Sequence, residues 1–373
     1  MNTDGKRSFF MAKMKNQIRI LYMNTALNAF QIAGASWVAL LATRGFTLVE
    51  IGFAESVFHV ASLLFEVPSG VISDVFGRKK SMALSQCMTI LSAILMIVSD
   101  SLAGVLPAMV FSAFGYNFAS GTREALAYET LKADGQEASY DQYASTDMML
   151  YTFCNAMATL CAGLAILLGY RRAYLVDAVL GTLCLLLVFR LKEVRPAAAV
   201  QIGRIGQEIG RCFQESWRFL LGNTKALQLI FLNAAVGAAA TLLRFFLQAR
   251  LPENGLPDAL LGPALFFMGL GGAVGAKVIL LCREWTYRKV CLVSGLAIAA
   301  CALLCLLPVP ALMIVGGFTA ALFDNFLQVR SDVKLNKMVP AGQRATLLSV
   351  SSLCFSCVMI VLSPLFGQMF SSL

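Results

Sequence analysis

Glu55, His59, Ser62 and Glu66 follow one another at spacings of four, three and four residues inside an otherwise apolar run. That spacing puts them on one face of an α-helix. Ionisable groups within such a run are costly, and they face a cavity or a partner. An imidazole changes charge near neutral pH, and desolvation moves carboxyl groups toward the same range. A carboxylate–imidazole stripe can therefore carry protons. The bland alternative leaves Glu55 near one surface, Glu66 near the other, and His59 as a packed polar residue.

Asn24, Asn28 and Gln31 form a second stripe at spacings of four and three. They suit either a central cavity or hydrogen bonds between helices. Arg244 could attract an anionic substrate group, although it lies within snorkelling range of a surface, and Asp177 reads as similarly shallow. The sequence offers no Gly-rich phosphate loop with its lysine, no nucleophile–histidine pairing and no metal-ligand cluster. The expectation is a protein that is not an enzyme, uses no cofactor and no metal, and draws no energy from ATP within this chain. Most of the eleven cysteines lie in apolar runs and read as packing, the Cys354–Cys357 pair included.

The elements that must position these residues follow from composition. Hydrophobic residues make up 58% of the 373-residue chain and charged residues 14%. Apolar runs of spanning length recur throughout, as in an all-α polytopic membrane protein. Eleven spans are predicted, at residues 20–41, 51–73, 81–98, 102–120, 146–168, 173–190, 226–247, 260–281, 290–307, 311–329 and 345–370. With the N-terminus inside, 24 of the 30 lysines and arginines fall in inner segments. The net charge of +9 is then a topology signal and not a nucleic-acid footprint. The first run is too long for a signal-peptide core.

The middle segment, 191–225, divides the chain into an N-terminal half, 1–190, and a C-terminal half, 226–373. Ile202, Ile205, Ile209, Phe213 and Leu220 keep a helical spacing opposite Arg204, Arg211 and Arg218. That pattern predicts an amphipathic linker helix on the cytosolic membrane surface. A shift of 210 residues places Glu284 on Asp74, Arg288 on Arg78 and Lys289 on Lys79. The halves thus read as distant copies, the second without the glycines of the first.

Between the second and third runs stands Gly70-Val71-Ile72-Ser73-Asp74-Val75-Phe76-Gly77-Arg78-Lys79-Lys80. This stretch resembles the signature loop of the major facilitator superfamily of secondary transporters. The resemblance implies a two-half helical bundle with a midplane cavity and alternating access. It implies a cytosolic latch at Gly70, Asp74, Gly77, Arg78 and Lys79. Within it Gly70 allows close approach, Asp74 faces the segment starting at Arg344, and Arg78 meets a carboxylate such as Glu129 or Asp134. Arg123 and Arg330 belong to the same inner gate. A span 5 motif with proline and a mid-span 4 arginine, common in drug–proton antiporters, are absent. Two six-span halves also require twelve spans where eleven are found.

The reading is a monomeric, multi-pass transporter of the inner (plasma) membrane with its N-terminus in the cytosol. It exports a small amphipathic solute against protons, with the lipid bilayer as its other partner and no nucleic acid. The alternatives are uptake of a sugar-like or organic-anion solute, and a truncated membrane protein that does not transport.

Overall fold

The computed structural model describes residues 3–194, 206–207, 209–211, 214, 218, 222, 224–282, 284–338 and 344–371. Side chains are described from Asn16 onward, apart from those of 336, 344–346 and 348. The helices are α1 Thr3–Ala29, α2 Ile32–Ala35, α3 Trp37–Thr43, α4 Leu48–Phe76, α5 Arg78–Val98, α6 Leu102–Ala119, α7 Thr122–Ala133 and α8 Tyr140–Leu160. They continue with α9 Ala162–Leu168, α10 Tyr170–Arg190, α11 Thr224–Glu253, α12 Asp258–Val278, α13 Tyr287–Leu304, α14 Pro310–Met338 and α15 Arg344–Ser371.

Among the described residues nine helices are long and apolar enough to cross a membrane. The α8–α9 pair, bent by 49°, makes a tenth if it is one span. The remaining predicted span, 20–41, is not one helix. It breaks at Phe30–Gln31 and again at Ser36. The predicted linker helix lies largely outside the described residues.

The chain folds into two compact units, and neither is a contiguous stretch. Unit 1 is Met1–Ala35, Leu64–Ala158 and Arg171–Gly210, and unit 2 is Ser36–Leu63, Thr159–Tyr170 and Arg211–Leu373. In unit 1, Ser85 Oγ on α5 donates to Gly115 O on α6 at 2.7 Å, and Ser92 Oγ to Ala108 O at 2.8 Å. Lipid tails are as apolar as leucine, so helices join through close packing and such bonds, each contributing roughly 0.6 kcal/mol.

Unit 2 relies on bare backbone. A Cβ at Gly271, Gly272 or Gly275 of α12 would stand 2.1, 2.1 and 1.9 Å from Phe318 O, Asn325 Nδ2 and Leu322 O of α14. Two reciprocal glycine contacts join the segments taken from the first half to helices of the second. A Cβ at Gly52 of α4 would meet Ser363 O at 2.4 Å, and one at Gly367 of α15 would meet Leu48 O at 2.4 Å. Gly163 of α9 and Gly262 of α12 repeat the arrangement against Asp258 O and Leu160 O, at 2.3 and 2.0 Å. These four positions admit no side chain without pushing the helices apart.

Candidate functional site

In unit 2, α4 and α15 bring a carboxylate, an imidazole and a hydroxyl into one chain. Glu55 Oε1 lies 3.3 Å from His59 Nε2, one helical turn on. His59 Nδ1 shares a 3.2 Å hydrogen bond with Ser356 Oγ. Glu55, His59 and Ser356 are each at most 7% exposed. Ser56 Oγ donates to Ile360 O at 2.9 Å, which fixes the register of α4 on α15 beside them. Both ring nitrogens are thus engaged, and the pair can hold a proton between two oxygen partners. Ser62 is buried as well. Glu66, the last residue of the predicted stripe, belongs to unit 1.

The ring of Phe355 lies 5.8 Å from that of His59. Gly237 of α11 leaves room in front of it: a Cβ there would stand 3.3 Å from Asp324 Oδ1 of α14 and 3.8 Å from the Phe355 ring. The Asp324 carboxylate and the aromatic face therefore converge over bare backbone. Arg244, two turns further along α11, is half-buried and within electrostatic reach of Asp324. The site thus has a hydrogen-bonding end at His59–Ser356, a ring, and the Asp324 carboxylate, with Arg244 on α11.

In unit 1 the signature turn gathers a cluster of charged side chains. Gly77 has φ of 102°, a value open to glycine, and ends α4 so that α5 can start at Arg78. Arg78 Nη2 meets Asp74 Oδ1 at 2.6 Å and its Nε lies 3.8 Å from Glu129 Oε1. Of the two acidic partners expected for Arg78, the structure brings in Glu129. Arg78 Nη1 also donates to Ser73 Oγ at 3.2 Å, and Lys79 Nζ donates to Phe189 O at 2.8 Å.

The expected close approach at Gly70 is not found among the described residues. Gly70 is exposed, and a Cβ there would meet nothing within 4 Å. The side chain of Arg344, expected near Asp74, lies outside the described residues. Arg330 Nη2 donates to Trp285 O at 2.8 Å.

Several further side chains take part that the sequence reading does not single out. Glu193 accepts from the backbone N–H groups of Arg78 and Lys79 at 2.8 and 3.0 Å. Its carboxylate caps the N-terminus of α5, where the helix dipole favours negative charge. Gln17 holds the neighbouring backbone: its Nε2 donates to Lys192 O at 3.1 Å and to Thr130 Oγ1 at 2.8 Å, and its Oε1 accepts from Lys192 N at 3.2 Å.

Asp147 is buried against Arg123 Nη2 at 3.1 Å and accepts from Thr25 Oγ1. Asp177 is 5% exposed and accepts from Ile32 N and Gly34 N at 2.8 and 2.9 Å. It satisfies donors freed by the break in the first span, which explains how that break is tolerated. Asn24 Nδ2 reaches Cys184 O at 3.4 Å and Asn28 Oδ1 accepts from Gln86 Nε2 at 3.3 Å, so both join helices together. Gln31 stands half-buried at the break itself. An Asp inside the 311–329 run is a legible signal for Asp324. Ser356, one serine among several on α15, gives none.

The Major Facilitator Superfamily model matches residues 20–364. A curated relative, the uncharacterized MFS-type transporter YxaM of Bacillus subtilis (strain 168), is 23% identical over 265 residues, or 70% of this chain. The matched stretch covers 65% of that relative's length, just under two thirds of it. A point mutant of the nucleoside transporter NupG superposes with a TM-score of 0.75 at 17% identity, covering 96% of this chain and 92% of that one. A D-xylose–proton symporter superposes with a TM-score of 0.67 at 12% identity, covering 96% and 90%. At these identities the two structures show a common fold.

Proposed function

The chain belongs to the Major Facilitator Superfamily, a family of transporters and not of enzymes, and from that premise we propose that it couples a small amphipathic solute to protons through Glu55 and His59. The observation that carries this reading is the buried Glu55–His59–Ser356 chain beside Phe355 and Asp324. A proton on His59 gives the imidazole a charge that Glu55 balances at 3.3 Å, while its other nitrogen donates to Ser356. Loss of that proton leaves one ring nitrogen as an acceptor and Glu55 without its counter-charge. The two protonation states therefore offer different hydrogen-bonding surfaces to a solute lying on Phe355.

Alternating access supplies the movement, as expected of two pseudo-repeated halves. The Asp74–Arg78–Glu129 latch belongs to the inner end, with the N-terminus cytosolic, in the inner (plasma) membrane, and the transporter works as a monomer. We take the direction as export. The support is the small number of charged groups on the helices that carry the site.

A second reading, uptake of a sugar-like or organic-anion solute, is favoured by Asp324 and Arg244. Both add polarity to the site, and similar folds occur in a nucleoside transporter and a D-xylose–proton symporter. Everted vesicles carrying the chain, acidified inside and followed with a pH-sensitive dye, separate the two. Proton release on adding a lipophilic cation or neutral amphipathic compound supports export. Proton-coupled uptake carries the proton with the solute, so alkalinisation of the medium on adding a sugar or organic anion to right-side-out vesicles moves the assignment to the second reading. Silence across the panel from inserted protein counts against both.

A further inference from the structure

The turn between α12 and α13 repeats the position of the signature turn but not its chemistry. In the first turn Arg78 is balanced by Asp74 and Glu129, and Glu193 caps the following helix. In the second, the aligned Arg288 and Lys289 have no carboxylate partner among the described residues, and neither does Lys334 of α14. Glu284 and Asp332, the acidic residues nearest in sequence, are exposed. Aromatic faces take the place of the carboxylates. Lys289 Nζ sits 4.2 Å from the centroid of Trp285, and Lys334 Nζ 4.4 Å from that of Tyr287. Arg330 Nη2 donates to Trp285 O at 2.8 Å, and Tyr287 OH shares a 3.1 Å hydrogen bond with Ser331 Oγ. Those bonds hold both aromatic residues in place.

A ring face holds an ammonium without neutralising it. Lysine has three N–H donors, so the side of each ammonium away from the ring stays available to an anion. The turn also lies at a membrane boundary. One candidate span ends at Cys282, the next begins at Tyr287, and a third ends at Leu335 on the same side. Tryptophan and tyrosine favour that level of a bilayer. Leu281, 87% exposed, and Leu280, 47% exposed, come four and five residues before Trp285 in the chain. The surface therefore pairs an apolar patch at acyl-chain depth with unbalanced cations at headgroup depth.

We propose that this turn binds the phosphate headgroup of an anionic phospholipid. Arg288, Lys289 and Lys334 hold the phosphate, and Leu280 and Leu281 lie against the chains. A zwitterionic lipid carries its own ammonium and loses the electrostatic part of the attraction. A free phosphate lacks the chains that Leu281 would meet.

The test uses the full chain in nanodiscs of mixed phosphatidylglycerol and phosphatidylcholine, with the lipids retained on the protein counted by native mass spectrometry. The wild type retains phosphatidylglycerol preferentially, and the preference falls by about fivefold for each cation removed in R288Q, K289Q and K334Q. It also falls sharply near 1 M salt, where the Debye length is about 3 Å, a readout that needs no variant. Equal retention of the two lipids, or a preference unchanged in all three variants, overturns the proposal. So does a preference that survives high salt. Displacement of the lipid by millimolar inorganic phosphate would assign the site to a free anion and overturn the lipid reading.

Discussion

The carboxylate of Glu193 holds the start of α5 by accepting the backbone N–H of Arg78 at 2.8 Å, while its other oxygen takes that of Lys79 at 3.0 Å. A Cβ at Gly77 would stand 2.6 Å from Glu193 Oε2, so the glycine between α4 and α5 serves the cap as well as the turn. The first residues after α10 are thereby tied into the signature turn. Gln17 holds the same stretch from the other side through Lys192.

Replacing Glu193 with alanine removes the cap. We expect about 1 kcal/mol of destabilisation by thermal unfolding, the usual loss for a helix N-terminal acceptor. Glu193→Gln, which keeps an acceptor oxygen, should recover part of it. Equal unfolding temperatures for wild type and alanine variant would remove the cap from the account.

The buried pair of Arg123 and Asp147 sets a second expectation. Asp147→Ala removes the buried acid beside Arg123 and leaves the guanidinium only the more exposed Glu124 at 2.9 Å, so the loss should stay below the ~3 kcal/mol of a fully stranded buried charge. Removing both charges together, as Arg123→Met with Asp147→Leu, should be markedly less destabilising than the single change. Additive losses in that double-mutant cycle would show the two residues to be uncoupled.

Gly52 and Gly367 make the prediction for unit 2. Gly52→Val places atoms where Ser363 O now lies and forces α4 from α15, at about 1–3 kcal/mol. Amide hydrogen exchange around residues 360–367 should accelerate in the variant. Unchanged protection there would mean that the contact is not close in solution.

Such close contacts mark the limit of what the sequence discloses. The spanning helices are legible because uncharged apolar runs of that length suit a bilayer far better than water. The signature turn is legible because its glycines and charges have fixed offsets. The break at Phe30–Gln31 is not. The segment carries no proline and no charge to mark it, and its freed N–H groups are satisfied by Asp177, 145 residues away from Ile32. Glu55 and His59 can be paired by their spacing of four. Ser356 cannot be added, since it arrives from a helix 297 positions later. Glu193 reads as linker from its place in the chain, and only the packing of α5 on the end of α10 reveals the cap.

Asp74→Asn tests the latch. It replaces the carboxylate that meets Arg78 at 2.6 Å in the last turn of α4, at the end of a span and not in its middle. Transport should fall several-fold while membrane insertion, followed by fractionation, stays unchanged. Loss of insertion would make Asp74 a folding residue instead.

The central claim is that Glu55 and His59 carry the coupled proton. Its most direct test is the pH dependence of solute flux in proteoliposomes of the purified chain, compared among wild type, His59→Asn and Glu55→Gln. The account predicts a flux that changes about tenfold or more between about pH 5 and 8 in the wild type, the span over which imidazole changes charge. It predicts a flat profile for His59→Asn, with exchange of solute for solute retained, and a shifted profile for Glu55→Gln. A His59→Asn profile that follows the wild type across the whole range would contradict the claim.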